Sequence, residues 1–275
     1  MSRAPLLGVQ RTLFLPLIVR AQAASLCPMM DPVDVHAARM LKASGEDPQD
    51  YPMDSATVFN ILWRTRLIRA LGQDFFQRFP HALGLNLGAG LSHYFQWLDN
   101  GHNQWLDLDL PKVVALRRGL LVEPEARCQS RAVDLGRPGW WQALGLPQRD
   151  HPQPMLVLLE GLLMYMQPCE VKGLLQEIGE HAPEGTELLC DFISPIGIGH
   201  TVPANDHGEG DRTTFHWGAH NGQEIACLHP RFELVAQYSV AELWGWGGGW
   251  LEMLMAPWTG GPMYALAHLK VSDDL

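Results

Sequence analysis

The chain has 275 residues, of which 47% are hydrophobic and 18% charged, with a formal charge of −10. That length and apolar content supply the core of one large domain, or of one domain with a cap. The acidic balance argues against a nucleic-acid partner, which demands a basic surface.

Near the N-terminus, Arg11 precedes the apolar run Leu13–Val19, and Ala21-Gln22-Ala23 has the look of a signal-peptidase site. The run is only seven residues long, contains Pro16, and is followed by Arg20 before that site, so a retained chain is expected. No run approaches the ~18–20 apolar residues of a membrane span. Five cysteines (Cys27, Cys128, Cys169, Cys190, Cys227) are scattered without a C-x-x-C, the usage of buried free thiols in a reducing cytoplasm. Residues 1–80 read as a helical cap segment with breaks at Pro28, Pro32, Pro48 and Pro52, and Thr57–Phe79 carries helical periodicity up to Pro80.

From there strands and helices alternate. Strands are expected at Leu83–Leu87, Gln104–Asp109, Arg127–Val133, Pro154–Leu159 and Glu187–Ile193. Helices are expected at Leu91–Leu98, Pro111–Val122, Trp140–Leu144 and Pro168–His181. This alternation predicts an α/β, Rossmann-like core over 81–275, a mostly parallel sheet with helices on both faces. Residues 194–224 are rich in Gly, His, Asn and Asp and read as a lid loop. Phe232–Val240 and Met263–Val271 complete seven strands and are close enough in sequence to pair antiparallel. The order of strands in the sheet is left open.

The first strand ends in Asn86-Leu87-Gly88-Ala89-Gly90-Leu91, and the second ends in Asp109, about twenty residues on. A glycine turn followed at that distance by a strand-end acid points to a nucleoside cofactor whose ribose the carboxylate holds. A dinucleotide fingerprint would place its third glycine at 93, where the chain has His93, and no Walker loop occurs. The shorter G-x-G turn suits a nucleoside with an amino-acid tail and no phosphates, which describes S-adenosylmethionine. An ordinary strand-to-helix turn is the competing reading. Seven strands with a late antiparallel hairpin is also the plan of class I methyltransferases.

Four blocks resemble the leucine carboxyl methyltransferase family, which includes bacterial O-methyltransferases of the tetracenomycin polyketide type. Thr12–Ala21 with Asp31-Pro32 is similar to the family's T-L-x-x-P-L-x-x-R-A … D-P. Arg64-Thr65-Arg66 is similar to its A-R-T-R. Asn86–Leu91 with Asp109-Leu110-Pro111 is similar to N-L-G-A-G-L … D-L-P, and Glu160–Met166 to E-G-L-L-M-Y-L. The resemblance turns the first block into a helix closing over the cofactor. It implies that Gly88 and Gly90 form the cofactor turn and that Asp109 accepts from both ribose hydroxyls. It further implies that Asp134 and Leu135 meet the adenine, that Glu160 faces the ammonium, and that Arg20 and Arg64 hold the cofactor carboxylate. Asp107 shares a face with Asp109 and is given no cofactor contact. Arg66 and Arg69 read as a solvated helix face. Ser92-His93-Tyr94 departs from the D-T-R of many members.

Five histidines (His200, His207, His216, His220, His229) crowd the lid region beside Asp206, Asp211 and Cys227. His216 and His220 have ligand-like helical spacing, but Trp217-Gly218-Ala219 is a poor helix centre and no C-x-x-C supports zinc, so no metal is expected. Phe215-His216-Trp217-Gly218 is similar to a family F-R-W-G segment and is expected to face substrate. The run Trp244-Gly245-Trp246-Gly247-Gly248-Gly249-Trp250 is expected to wall an aromatic pocket. The resulting expectation is an S-adenosylmethionine-dependent O-methyltransferase. Its acceptor would be a hydroxyl or carboxylate oxygen of a small, aromatic, polyketide-like molecule. Tyr165 would orient that acceptor, and His216 or His93 would serve as base if it is a phenol. Alternatives are a methyltransferase for a protein C-terminal carboxylate and a non-catalytic cofactor-binding protein. Neither nucleic acid nor membrane is an expected partner, and the oligomeric state is left open.

Overall fold

A computed structural model describes residues 12–28, 30, 34–51, 53–121, 126–203 and 212–273. Arg11, Asp31, Pro32, Pro52, Val122, Asp206, His207 and Asp211, named above, lie outside them. Strands β1 (Leu83–Leu87), β2 (Gln104–Asp109), β3 (Cys128–Ala132), β4 (Met155–Leu159) and β5 (Glu187–Ile193) run parallel. A separate two-stranded ribbon pairs β6 (Thr201–Pro203) with β7 (Arg212–Thr214). The last strands, β8 (Phe232–Ser239) and β9 (Tyr264–Val271), complete a seven-stranded sheet in the order β3-β2-β1-β4-β5-β9-β8. β9 is antiparallel to both its neighbours.

β4 and β5 are buried along their whole length, as parallel strands covered on both faces must be. The strand order reverses between β1 and β4, so a crevice opens beyond their carboxyl ends, where open α/β sheets take ligands.

Helices α1 (Phe14–Ala21), α2 (Ala23–Leu26) and α3 (Val35–Ser44) precede the long α4 (Ser55–Arg78). Asp54 caps α4 by accepting from Thr57 N at 2.7 Å. The helix lays Ile68, Phe75 and Phe76 against Trp105, Leu156 and Leu158 in one cluster. A boundary at residue 80 therefore runs between two elements that share a core. The other sheet face is covered by Val171, Leu174, Leu175 and Ile178 of α8 (Pro168–His181). Between α4 and α8 lie α5 (Tyr94–Leu98), α6 (Pro111–Leu120) and α7 (Trp140–Ala143), and after α8 come α9 (Gly222–Ala226) and α10 (Gly245–Thr259). α1 packs on α3 through Phe14, Leu17, Ile18, Ala37 and Met40, and Leu91 joins that cluster. This packing holds α1 over the glycine turn.

Three elements differ from expectation, the first being the 194–224 loop, whose described residues carry the β6–β7 ribbon and the start of α9. The helix expected from Leu91 begins only at Tyr94, because residues 89–92 close a turn, Ser92 N donating to Ala89 O at 3.0 Å. The Trp/Gly run, expected to wall a pocket, instead supplies the first six residues of a helix, α10, four of them glycines, although each glycine costs about 1 kcal/mol in a helix. Cys128 and Cys190 are buried as expected, but Cys169 and Cys227 are exposed. No helix among the described residues is long and apolar enough to cross a membrane.

Candidate active site

The site begins at the turn leaving β1. Gly88 and Gly90 have φ of +64° and +50°, the left-handed region that an L side chain rarely adopts. A Cβ on Gly88 would also stand 2.7 Å from Leu162 Cδ1. The turn is clamped from both sides. Asp109 at the end of β2 accepts from Gly90 N at 2.8 Å through Oδ2 and from Leu110 N at 2.7 Å through Oδ1. Burial outweighs these bonds and holds the Asp109 carboxyl above its ordinary value. Beneath the turn, Arg117 donates to Gly90 O at 3.0 Å, to Ser92 O, and to Asp107 Oδ2 at 2.7 Å. Asp107 also accepts from Asn86 Nδ2 at 2.8 Å and Trp105 Nε1 at 3.0 Å. Asp107 is thus a buried anchor and does not line the cavity. Arg117 escaped the sequence reading, yet a signal was present: it lies on the same buried stripe of α6 as Val113 and Val114.

A second cluster forms where β4 and β5 end. Arg64 of α4 donates from Nε to Glu160 Oε1 at 2.7 Å, and from Nη1 to Asp191 Oδ2 at 3.0 Å and Tyr264 OH at 2.9 Å. Asp191 further accepts from Gly161 N at 2.6 Å and from the Tyr264 hydroxyl. Arg20 of α1 approaches Glu160 Oε1 at 3.9 Å and donates to Leu91 O at 3.2 Å. Burial pushes Glu160 up, but the Arg64 and Arg20 guanidiniums outweigh it and hold the carboxyl below its ordinary value. For Asp191 burial wins over Arg64, and its carboxyl is raised. Asp191 and Tyr264 were not singled out in the sequence. The available signal was an acid in the middle of the buried strand Glu187–Ile193, which needs a partner.

Both clusters face one cavity of about 750 Å³, within the usual range of ligand pockets. Its lining brings together Arg20, Arg64, Gly88, Gly90, Asp109, Asp134, Leu135, Glu160 and Tyr165. Asp134 is half-exposed and pairs through Oδ2 with Arg137 Nε at 3.0 Å. Leu135 is buried. Tyr165 packs its ring 5.4 Å from that of Phe215, and burial pushes its phenol up to about 12.

The structure does not bring the two histidines to this lining. His93 is fully buried, with Nε2 3.0 Å from Asp34 Oδ1 and its ring 4.3 Å from Trp97. Burial outweighs the Asp34 contact and holds its imidazole below the ordinary value. His216 is exposed, and its backbone N–H donates to Met164 O at 2.8 Å. The stretch His216–Ala219 is not helical, so the ligand-like spacing with His220 has no helix to act on. Trp246 and Trp250 point outward and wall no part of the cavity.

The residues present fit S-adenosylmethionine. Arg20 is 3% exposed, and its Nε has no hydrogen-bond partner among the described residues. A buried guanidinium N–H left unpaired beside a cavity is suited to an anion such as an amino-acid carboxylate. The glycine turn leaves room that a Cβ would fill, and Asp109 presents a strand-end carboxylate beside it.

This sheet order with an antiparallel last strand, this turn and these acids together define an S-adenosyl-L-methionine-dependent methyltransferase. The comparisons agree. The family model described as leucine carboxyl methyltransferase matches residues 14–179, and the chain belongs to that family. It is 25% identical over 286 residues to the S-adenosyl-L-methionine-dependent methyltransferase dpfgK of Gibberella zeae, covering 94% of this chain and 92% of that one. It is 24% identical over 183 residues to the tetracenomycin polyketide synthesis O-methyltransferase TcmP of Streptomyces glaucescens, covering 66% and 65%. The fold resembles that of an O-methyltransferase family protein from Burkholderia thailandensis, with a TM-score of 0.50, 14% identity, and 97% and 72% coverage.

Proposed function

We propose that the chain methylates an oxygen, carboxylate or acidic hydroxyl, of a small acceptor that enters beside Tyr165. The observation that carries this reading is Tyr165 itself. It lines the same cavity as Arg20, Glu160 and Asp109, and its phenol, raised to about 12, stays protonated at neutral pH. It therefore acts as a hydrogen-bond donor rather than a base.

When bound, S-adenosylmethionine supplies an electrophilic methyl group on a sulfonium. Arg20 and Arg64 hold the carboxylate end of the cofactor, and Glu160 accepts from its ammonium. Asp109 accepts from the ribose hydroxyls, while Asp134, Leu135 and neighbouring backbone border the adenine. Tyr165 donates to the acceptor oxygen and fixes its position, the main contribution a protein makes to such a transfer. An oxygen that arrives ionised needs no proton removed. A carboxylate, with a pKa near 4, meets that condition, whereas a simple phenol, near 10, does not. Within the expected lid, Phe215 and its neighbours cover the acceptor side, a role supported by the Phe215 contact with Tyr165. The likeness to TcmP supports oxygen as the acceptor atom.

The test is a panel of aromatic carboxylic acids, acidic phenols, simple phenols and amines, with products read by mass spectrometry. Methyl esters or ethers from the acidic acceptors are expected. Tyr165→Phe should lower kcat/KM about 10- to 100-fold, the share of one hydrogen bond to a charged group, with cofactor affinity unchanged. Methylation confined to amines, or a Tyr165→Phe enzyme of full activity, would overturn the reading.

A further inference from the structure

The connection from β8 to β9 leaves the sheet at the edge that bears the site. Ser239 is paired with Ala265, and Tyr264 with Ile193 at the carboxyl end of β5. Most of that connection is α10, whose last residue is tied to the sheet by Ser194 Oγ donating to Thr259 O at 2.8 Å. The helix turns Gly248 and Thr259 inward. Its one charged residue, Glu252, is half-buried and accepts from the Ser239 hydroxyl.

The opposite face is apolar and exposed. Trp246, Trp250, Met253, Leu254, Pro257 and Trp258 fall at i, i+4, i+7, i+8, i+11 and i+12, one continuous stripe of a helix. The three indoles are 89%, 58% and 73% exposed. With up to about 250 Å² in each aromatic side chain, they alone present roughly 500 Å², which is already at the upper end of the largest apolar patch on an ordinary monomer. Met253 and Leu254, both more than half exposed, bring the stripe toward the ~800 Å² that each partner contributes to a stable interface. A Cβ on Gly247 or Gly249 would meet nothing within 4 Å, so another backbone has room to approach closely.

We propose that this stripe is the centre of a homodimer, α10 packing on α10 of a second copy across a two-fold axis. An isologous contact sets a surface against itself, and an uncharged apolar stripe is complementary to itself without any charge pairing. A membrane surface fits less well. Helices that lie on lipid carry Lys or Arg on their polar face, whereas Gly245–Thr259 has neither and the chain carries −10.

Sedimentation equilibrium of the full chain tests the proposal, alongside Trp246→Glu/Trp250→Glu and, separately, Trp258→Glu. The wild type should be dimeric. Each variant should associate at least about 30-fold more weakly, as loss of an interfacial Trp anchor does, with an unchanged circular dichroism spectrum and unchanged S-adenosylmethionine affinity. A wild type that stays monomeric at every concentration, or folded variants as dimeric as the wild type, would overturn it. So would a monomer that floats with neutral phosphatidylcholine vesicles, which would give the face to a membrane.

Discussion

Asp109 is held by two backbone N–H groups, yet its carboxyl titrates above the ordinary value because burial outweighs them. A carboxyl raised in the folded state stabilises the fold fully below its unfolded pKa, and that contribution is lost as pH rises through the folded value. At neutral pH the ionised form is therefore a burden on the fold, which the proposed ribose contact would explain. Asp109→Asn removes that charge but sets an NH2 against one of the two backbone N–H groups, so it should change the melting temperature at pH 7 little while weakening S-adenosylmethionine about 10- to 100-fold, the share of charge-assisted hydrogen bonds. Differential scanning calorimetry with a binding titration checks both halves. For the same reason, wild-type affinity should fall with acid at a higher pH than an ordinary aspartate would set. Asp109 and Glu160 were legible in the sequence because each ends an apolar strand at the ligand edge. Asp191 and Tyr264 were not, since their partner Arg64 lies 127 and 200 residues away and no local period encodes that distance. His93 was visible only as a departure from a motif, and its pairing with Asp34 depends on how α3 packs.

The element proposed to bind the cofactor is the glycine turn, and Arg117 is its latch. Removing Arg117 leaves Asp107, 1% exposed, as a buried carboxylate without its cation. Arg117→Met should therefore destabilise the fold by about 3–5 kcal/mol. Asp107→Asn/Arg117→Met should lose less than Arg117→Met alone, because no charge is then stranded. Urea unfolding of the two variants measures the difference, and an equal loss would remove the latch from the account. Strand limits were well marked here: β1, β2 and β5 have the bounds expected of them, because their leucine-rich stretches are buried. Sheet order was not marked, since it rests on pairing between strands distant in the chain. α10 was unreadable for a different reason, its glycine content opposing the helix it forms.

Across the whole molecule, acid sensitivity should centre on the far end of the sheet. Glu187 opens β5 and accepts from Arg78 Nη1 and His268 Nε2, each at 2.8 Å. Burial pushes it up, but His268 and Arg78 outweigh that and bring it to about 2 from an ordinary 4.5. A lowered carboxyl contributes stability that is present above its unfolded pKa and lost as pH falls through the folded one. Glu187→Gln should accordingly melt below the wild type at pH 7, and the gap should narrow as pH drops from about 4.5 toward about 2. Cofactor acts in the other direction. At one hundred times its Kd it adds about 2.7 kcal/mol, roughly 5–11 °C in a domain of this size. In the proposed complex Arg20 holds the amino-acid tail of the cofactor while the nucleoside is held elsewhere. Calorimetric titration of wild type and Arg20→Gln with S-adenosylhomocysteine and with methylthioadenosine, which lacks the tail, tests it most directly. Arg20→Gln should bind S-adenosylhomocysteine about 10- to 100-fold more weakly and methylthioadenosine unchanged. An equal loss on both ligands, or a folded wild type that binds neither, would contradict it.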